Sequence, residues 1–79
     1  SESIKAFPNP TSGSFKIPVP NTVKNVLVHI YTETGRLITN NKYKAEAGEI
    51  QLSLKNEASG VYLAKLFLEQ PTVVKVLKK

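Results

Sequence analysis

A chain of 79 residues holds one domain with one modest core, and its net charge of +5, from 11 Lys+Arg against 6 acidic residues, leaves an anionic partner open as a reading. With no Cys and a single His there is neither a disulfide scaffold nor a structural zinc site, so stability has to come from apolar packing and sheet hydrogen bonds. Apolar residues at 41% against 22% charged residues are the composition of a globular domain, and the apolar runs fall far short of the ~20 residues that a membrane-spanning helix needs.

Period-2 alternation dominates the chain and no window carries an i, i+3, i+4, i+7 stripe, so the expectation is strands only. Ser1 to Ile4 lacks the basic start and apolar run of a secretory signal peptide. Ile4–Phe7 is a short apolar strand closed by Pro8-Asn9-Pro10-Thr11-Ser12-Gly13, where two prolines fix φ and Gly13 permits a positive φ. Ser14–Val19 turns Phe15, Ile17 and Val19 to one face and Lys16 and Pro18 to the other; Pro18 removes a ladder donor, which places the strand at an edge or ends it at a bulge.

Asn25–Tyr31 offers Val26, Val28 and Ile30 to one face and Leu27, His29 and Tyr31 to the other, and a strand apolar on both faces belongs near the middle of a sheet. Glu33-Thr34-Gly35 closes a hairpin into Arg36–Lys42. Beyond Gly48, Ile50, Leu52 and Leu54 point inward while Gln51, Ser53 and Lys55 point to water. Asn56–Gly60 is a loop, Val61–Glu69 a long strand apolar on both faces, Gln70-Pro71 a turn and Thr72–Lys79 the last strand.

Seven short strands with turn signals every ~8–12 residues predict an all-β, immunoglobulin-like β-sandwich, with a partly open barrel as the alternative. Residues 1–79 form a single domain whose first few positions are linker. The expected core is Val26, Val28, Ile30, Ile50, Leu52, Leu54, Val61, Leu63 and Phe67. Tyr62, just past a Gly-containing corner, stands where sandwiches place a tyrosine whose hydroxyl bonds backbone a few residues upstream.

Reaction chemistry has little to work with. Asp and Cys are both absent, and His29 lies between Val28 and Ile30 in an apolar strand, which reads as a satisfied structural histidine. No acidic ligand set fits a calcium loop, Glu46 and Glu49 flank an exposed turn, and the glycines at 13, 35, 48 and 60 punctuate strands rather than cradle phosphate. Pro10 excludes glycosylation at Asn9. The expectation is no catalytic residue, no metal and no cofactor. Lys75, Lys78 and Lys79 protect a terminal strand from edge pairing or meet an anionic partner; no aromatic residues alternate with them as a nucleic-acid stacking surface requires.

Four segments in order carry a resemblance: Phe7-Pro8-Asn9-Pro10-Thr11-Ser12-Gly13-Ser14-Phe15-Lys16-Ile17; Val26–Tyr31 leading to Thr34-Gly35-Arg36-Leu37-Ile38; Leu52-Ser53-Leu54 with Ser59-Gly60-Val61-Tyr62-Leu63-Ala64-Lys65-Leu66; and Val74-Lys75-Val76-Leu77-Lys78-Lys79. Together they resemble the type A C-terminal sorting domain of the type IX secretion system of Bacteroidetes, nearly end to end. Thr32-Glu33 departs from the Asp or Asn common before Thr-Gly-Arg, and His29 stands where a small or apolar residue is commoner.

The resemblance implies an immunoglobulin-like sandwich at the end of a larger cargo protein. It implies recognition in the periplasm by shuttle proteins and at the outer-membrane translocon, then removal by a sortase-like cysteine peptidase as the cargo is fixed to the cell surface or released. The family's cleavage site precedes the domain, which puts Ser1–Lys5 at or just beyond it. The matched positions are Pro8, Asn9, Pro10, Thr11 and Gly13; Gly35 and Arg36; Gly60, Tyr62 and Lys65; and Lys75, Lys78 and Lys79. Arg36 and the three terminal lysines are the expected recognition residues; the others read as turn and motif positions. Two rivals share the strand pattern: a fibronectin type III-like binding or spacer module, and a small basic nucleic-acid-binding barrel.

Overall fold

The computed structural model of the chain describes residues 4–79, so Ser1–Ser3, the start of the expected linker and cleavage segment, lie outside the described residues. Six strands are present: β1 (Ser14–Pro18), β2 (Asn25–Thr32), β3 (Leu37–Lys44), β4 (Glu49–Ser53), β5 (Gly60–Leu66) and β6 (Thr72–Lys78). They form two antiparallel sheets, β1-β4 and β3-β2-β5-β6. The apolar two-faced β2 sits inside the larger sheet between β3 and β5, as its pattern requires.

The expected seventh strand, Ile4–Phe7, does not form. Phe7 alone pairs, exchanging both backbone hydrogen bonds with Lys16 of β1 at 2.9 and 2.8 Å. Pro8 and Pro10 have no N–H to continue that ladder, so the chain leaves the small sheet at once. Four residues later Thr11 pairs in parallel with Lys78 at the edge of the large sheet. One potential strand has become two isolated bridges on different sheets.

Both sheets bury their inner faces in one cluster. Phe15, Ile17, Ile50 and Leu52 come from the small sheet, and Val26, Val28, Ile30, Ala64, Leu66, Val74 and Val76 from the large one. The expected core is therefore correct for β2 and β4, and wrong for β5. Tyr62, Ala64 and Leu66 face inward, while Val61 and Leu63 are half-buried and Phe67 is exposed. Alternation alone does not choose between two apolar faces. The ammonium of Lys65 does, because burying the Val61-Leu63 face would bury that charge with it.

Turn chemistry explains the hairpins. In the β2–β3 connection Gly35 N–H donates to Thr32 C=O at 2.9 Å, and Gly35 takes φ 94° at the position where a three-residue hairpin needs a left-handed residue. The Thr32 hydroxyl accepts from Arg36 N–H at 3.1 Å, doing the work of an Asp or Asn side chain. A bulge between Ile30 and Tyr31 then turns Leu37 outward and leaves Ile38 packed against the core. Glu46 and Glu49 flank a two-residue turn in which Ala47 and Gly48 both have positive φ, 53° and 77°. That is the type I′ geometry, which favours Asn-Gly. Gly13 is buried beside Lys55 and does not use the positive φ open to it; a Cβ there would meet the Lys55 backbone at 3.4 Å, an ordinary van der Waals contact.

Two substitutions check this account. Leu66→Ala lowers unfolding stability by ~2–5 kcal/mol in urea titration, several times more than Leu63→Ala. Ala47→Asn raises it by ~0.5–1 kcal/mol, because Asn tolerates the left-handed backbone that costs Ala about that much.

Candidate recognition site

The segment from Pro8 to Gly13 lies along the outer edge of β6, and side chains as well as backbone hold it there. Asn9 donates through Nδ2 to Lys75 C=O at 2.9 Å, and its Oδ1 accepts from Leu77 N–H at 2.8 Å. The amide thus imitates one residue of a neighbouring strand. Thr11 follows with N–H to Leu77 C=O at 2.8 Å, and its own C=O accepts from Lys79 N–H at 2.9 Å.

Thr11 is also the pivot of the turn. It is 1% exposed, with Oγ1 donating to Ser14 C=O at 2.7 Å and accepting from Gly13 N–H at 2.9 Å. A buried hydroxyl satisfied on both sides fixes the path into β1. From sequence, Asn9 and Thr11 read as ordinary turn residues. The available signal was that Asn9 stands between two residues without N–H, so its side chain is the natural donor for whatever lies alongside.

Register brings the other motif positions to the same end of the large sheet. Gly60 lies opposite Lys78, Tyr62 opposite both Val76 and Thr32, and Thr32 begins the hairpin that carries Gly35 and Arg36. Tyr62 Oη donates to Ala58 C=O at 2.6 Å, closing the β4–β5 corner in the way its position suggested. Lys65 is the exception. It sits mid-sheet opposite His29 and Val73, with Nζ 5.1 Å from the centre of the Phe67 ring.

The four expected recognition residues separate by environment. Arg36, Lys75 and Lys79 are exposed. Lys78 is half-buried and its Nζ donates to Glu57 C=O at 2.8 Å, so its ammonium fastens β6 to the β4–β5 loop. His29 is not in the core but on the outward face of β2, with Nδ1 3.1 Å from Tyr31 Oη and its ring edge-on to Phe67 at 4.7 Å. Among the described residues no group of three or more metal-ligating side chains clusters.

The clamp leaves part of β6 open. The C=O of Lys75, the N–H and C=O of Leu77 and the N–H of Lys79 are taken up by Asn9 and Thr11, while by the same alternation the N–H and C=O of Val73 face outward beyond the turn. A groove of about 460 Å³ lies beside that stretch, lined by Ile4, Ala6, Asn9, Val73 and Lys75 among others.

Asn9→Ala removes two hydrogen bonds and lowers stability by ~1–3 kcal/mol. Its signature is faster amide hydrogen exchange at Leu77, with the β2–β5 amides quickened only in proportion to the global change. A model of the secretion system C-terminal sorting domain family matches residues 5–79 of the chain. No curated protein matches it.

Proposed function

The chain belongs to the secretion system C-terminal sorting domain family, and on that premise we propose that the end of the large sheet where its four motifs meet is what the type IX machinery reads. As a member it is a C-terminal sorting signal of the type IX secretion system, which directs a cargo protein to the cell surface or out of the cell. The match gives no support to a fibronectin type III-like spacer. The single domain, residues 1–79, works without catalysis, engages shuttle proteins and the translocon during periplasmic transit, and is removed from its cargo by a sortase-like cysteine peptidase.

The observation that carries the reading is the clamp of Asn9 and Thr11 on β6. It holds the last strand in a fixed register beside Gly60, with Arg36 and Lys79 exposed around that end and Lys75 exposed midway along β6. Cations placed on a rigid edge speed encounter with an acidic groove, and the open stretch at Val73 offers main-chain groups to a receptor strand. Pro8, Pro10 and Gly13 set the path of the clamp, and Lys78 supports it from behind.

An immunoglobulin-like sandwich is the fold within which this operates. Three features support it: a β3-β2-β5-β6 sheet over a β1-β4 sheet, a tyrosine corner at Tyr62, and a first segment that touches both sheets. The seven-strand form is reduced here to six.

A fusion of residues 1–79 behind a periplasmic reporter, expressed in a host with this secretion system, moves the reporter to the surface or medium. Replacing Arg36, Lys75 and Lys79 together with Glu leaves the fusion folded and in the periplasm. Efficient export of that triple variant would remove these residues from the signal.

A further inference from the structure

The small sheet covers one face of β3-β2-β5-β6, and the opposite face breaks the usual pattern of a half-wet antiparallel sheet. On β4 the outward residues are Glu49, Gln51 and Ser53, and Lys55 continues the row just past its end, as that pattern demands. On the large sheet apolar side chains share the outward face about equally with polar and charged ones. Leu37 is 45% exposed, Phe67 38%, Val73 58% and Leu77 40%. Register places them in rows with half-buried neighbours: Leu37 beside Tyr31, Tyr31 beside Leu63, and Leu77 beside Val61.

The charges on this face all have one sign. Lys42, Lys44, Lys65 and Lys75 point outward, and no acidic residue occurs in any of the four strands. The ion pair found among the described residues, Lys16 with Glu49, is on the other sheet. At the centre the side chains are already fixed. His29 bonds Tyr31 and stands edge-on to Phe67, and Lys65 lies over the same Phe67 ring. An ordered aromatic cluster with a cation, set among exposed apolar side chains, is the composition of an interface centre.

We propose that the outward face of the four-stranded sheet is a docking surface for an acidic protein of the secretion machinery, one whose contact region alternates apolar side chains with carboxylates. This rests on the sorting function stated above and adds a second contact to the clamped edge. The arrangement of charge selects a protein over a lipid surface. Lys65 lies between Leu63 and Phe67 along β5, and Lys75 between Val73 and Leu77 along β6, so cations and apolar groups interleave on a flat sheet. A membrane contact wants the apolar groups gathered to enter the bilayer with the cations set around them.

The test uses the same reporter fusion. One double variant, Lys42→Glu with Lys65→Glu, reverses the charge of the face; another, Leu37→Ser with Val73→Ser, removes apolar area at exposed positions. A control, Lys16→Glu with Lys55→Glu, makes the same charge change on the other sheet. Both face variants are expected to melt as folded proteins and to export about tenfold less reporter, the control to export normally. Suppressors that restore export of the charge-reversed fusion are expected to be Glu→Lys or Asp→Lys changes in a machinery protein.

Export of folded face variants at the level of the unchanged fusion would overturn the surface and leave the sorting reading standing. Failure of the unchanged fusion to be exported would overturn both. Cosedimentation of the purified chain with phosphatidylglycerol vesicles but not phosphatidylcholine vesicles, lost in the face variants, would assign the face to lipid instead. A dimer in sedimentation velocity that the face variants dissociate would assign it to a second copy.

Discussion

Between Phe7 and Thr11 the chain has only one backbone donor to offer, that of Asn9, because Pro8 and Pro10 have none. A segment so poor in donors does not continue as a strand of either sheet. It crosses from the edge of one sheet, where Phe7 meets Lys16, to the edge of the other, where Thr11 meets Lys78. The crossing ties the two sheets together at the same time as it covers the end of β6. A domain without disulfides relies on such ties, since its small core leaves few kcal/mol in reserve.

Electrostatics adds little to this stability. Lys16 and Glu49 approach to 3.7 Å with both side chains well hydrated, which is the ordinary weak surface pair. The useful charged contact is of another kind. Lys78 gives its ammonium to the Glu57 carbonyl, joining a loop to a terminal strand with a charge-assisted bond and no desolvated ion pair. Positive charge elsewhere on the large sheet has no counterpart in its strands. That imbalance costs self-repulsion within the fold.

Much of the architecture was legible because each strand's pattern and its environment agree. Val26, Val28 and Ile30 with Leu27 and Tyr31 placed β2 centrally, and Ile50, Leu52 and Leu54 placed β4 over the core. Tyr62 was recognisable from its distance past a corner. The misses have physical causes. β5 is apolar on both faces, so its inward set had to be read from Lys65 rather than from hydrophobicity. The Ile4–Phe7 strand was lost to donors that proline lacks. Nothing local indicates that Asn9 bonds residues 66 and 68 positions away, because side-chain partners across a fold are set by the finished topology.

The lysines proposed for recognition and the stabilising residues meet on β6, and this constrains both. Along β6 the side chains of Val74 and Val76 are committed to the core and Lys78 to the loop, while Lys75, Leu77 and Lys79 have backbone fixed by Asn9 and Thr11 and side chains free. Holding the backbone of a terminal segment means that a receptor meets an ordered strand and does not bear the ordering entropy itself, about 1–2 kcal/mol for each residue fixed. The exposed side chains are then available to vary in chemistry without loosening the sheet. A terminal tail of the same sequence with no clamp would present the same lysines at lower affinity. On the proposed reading, the Pro8–Gly13 segment acts on recognition through the order it imposes on β6.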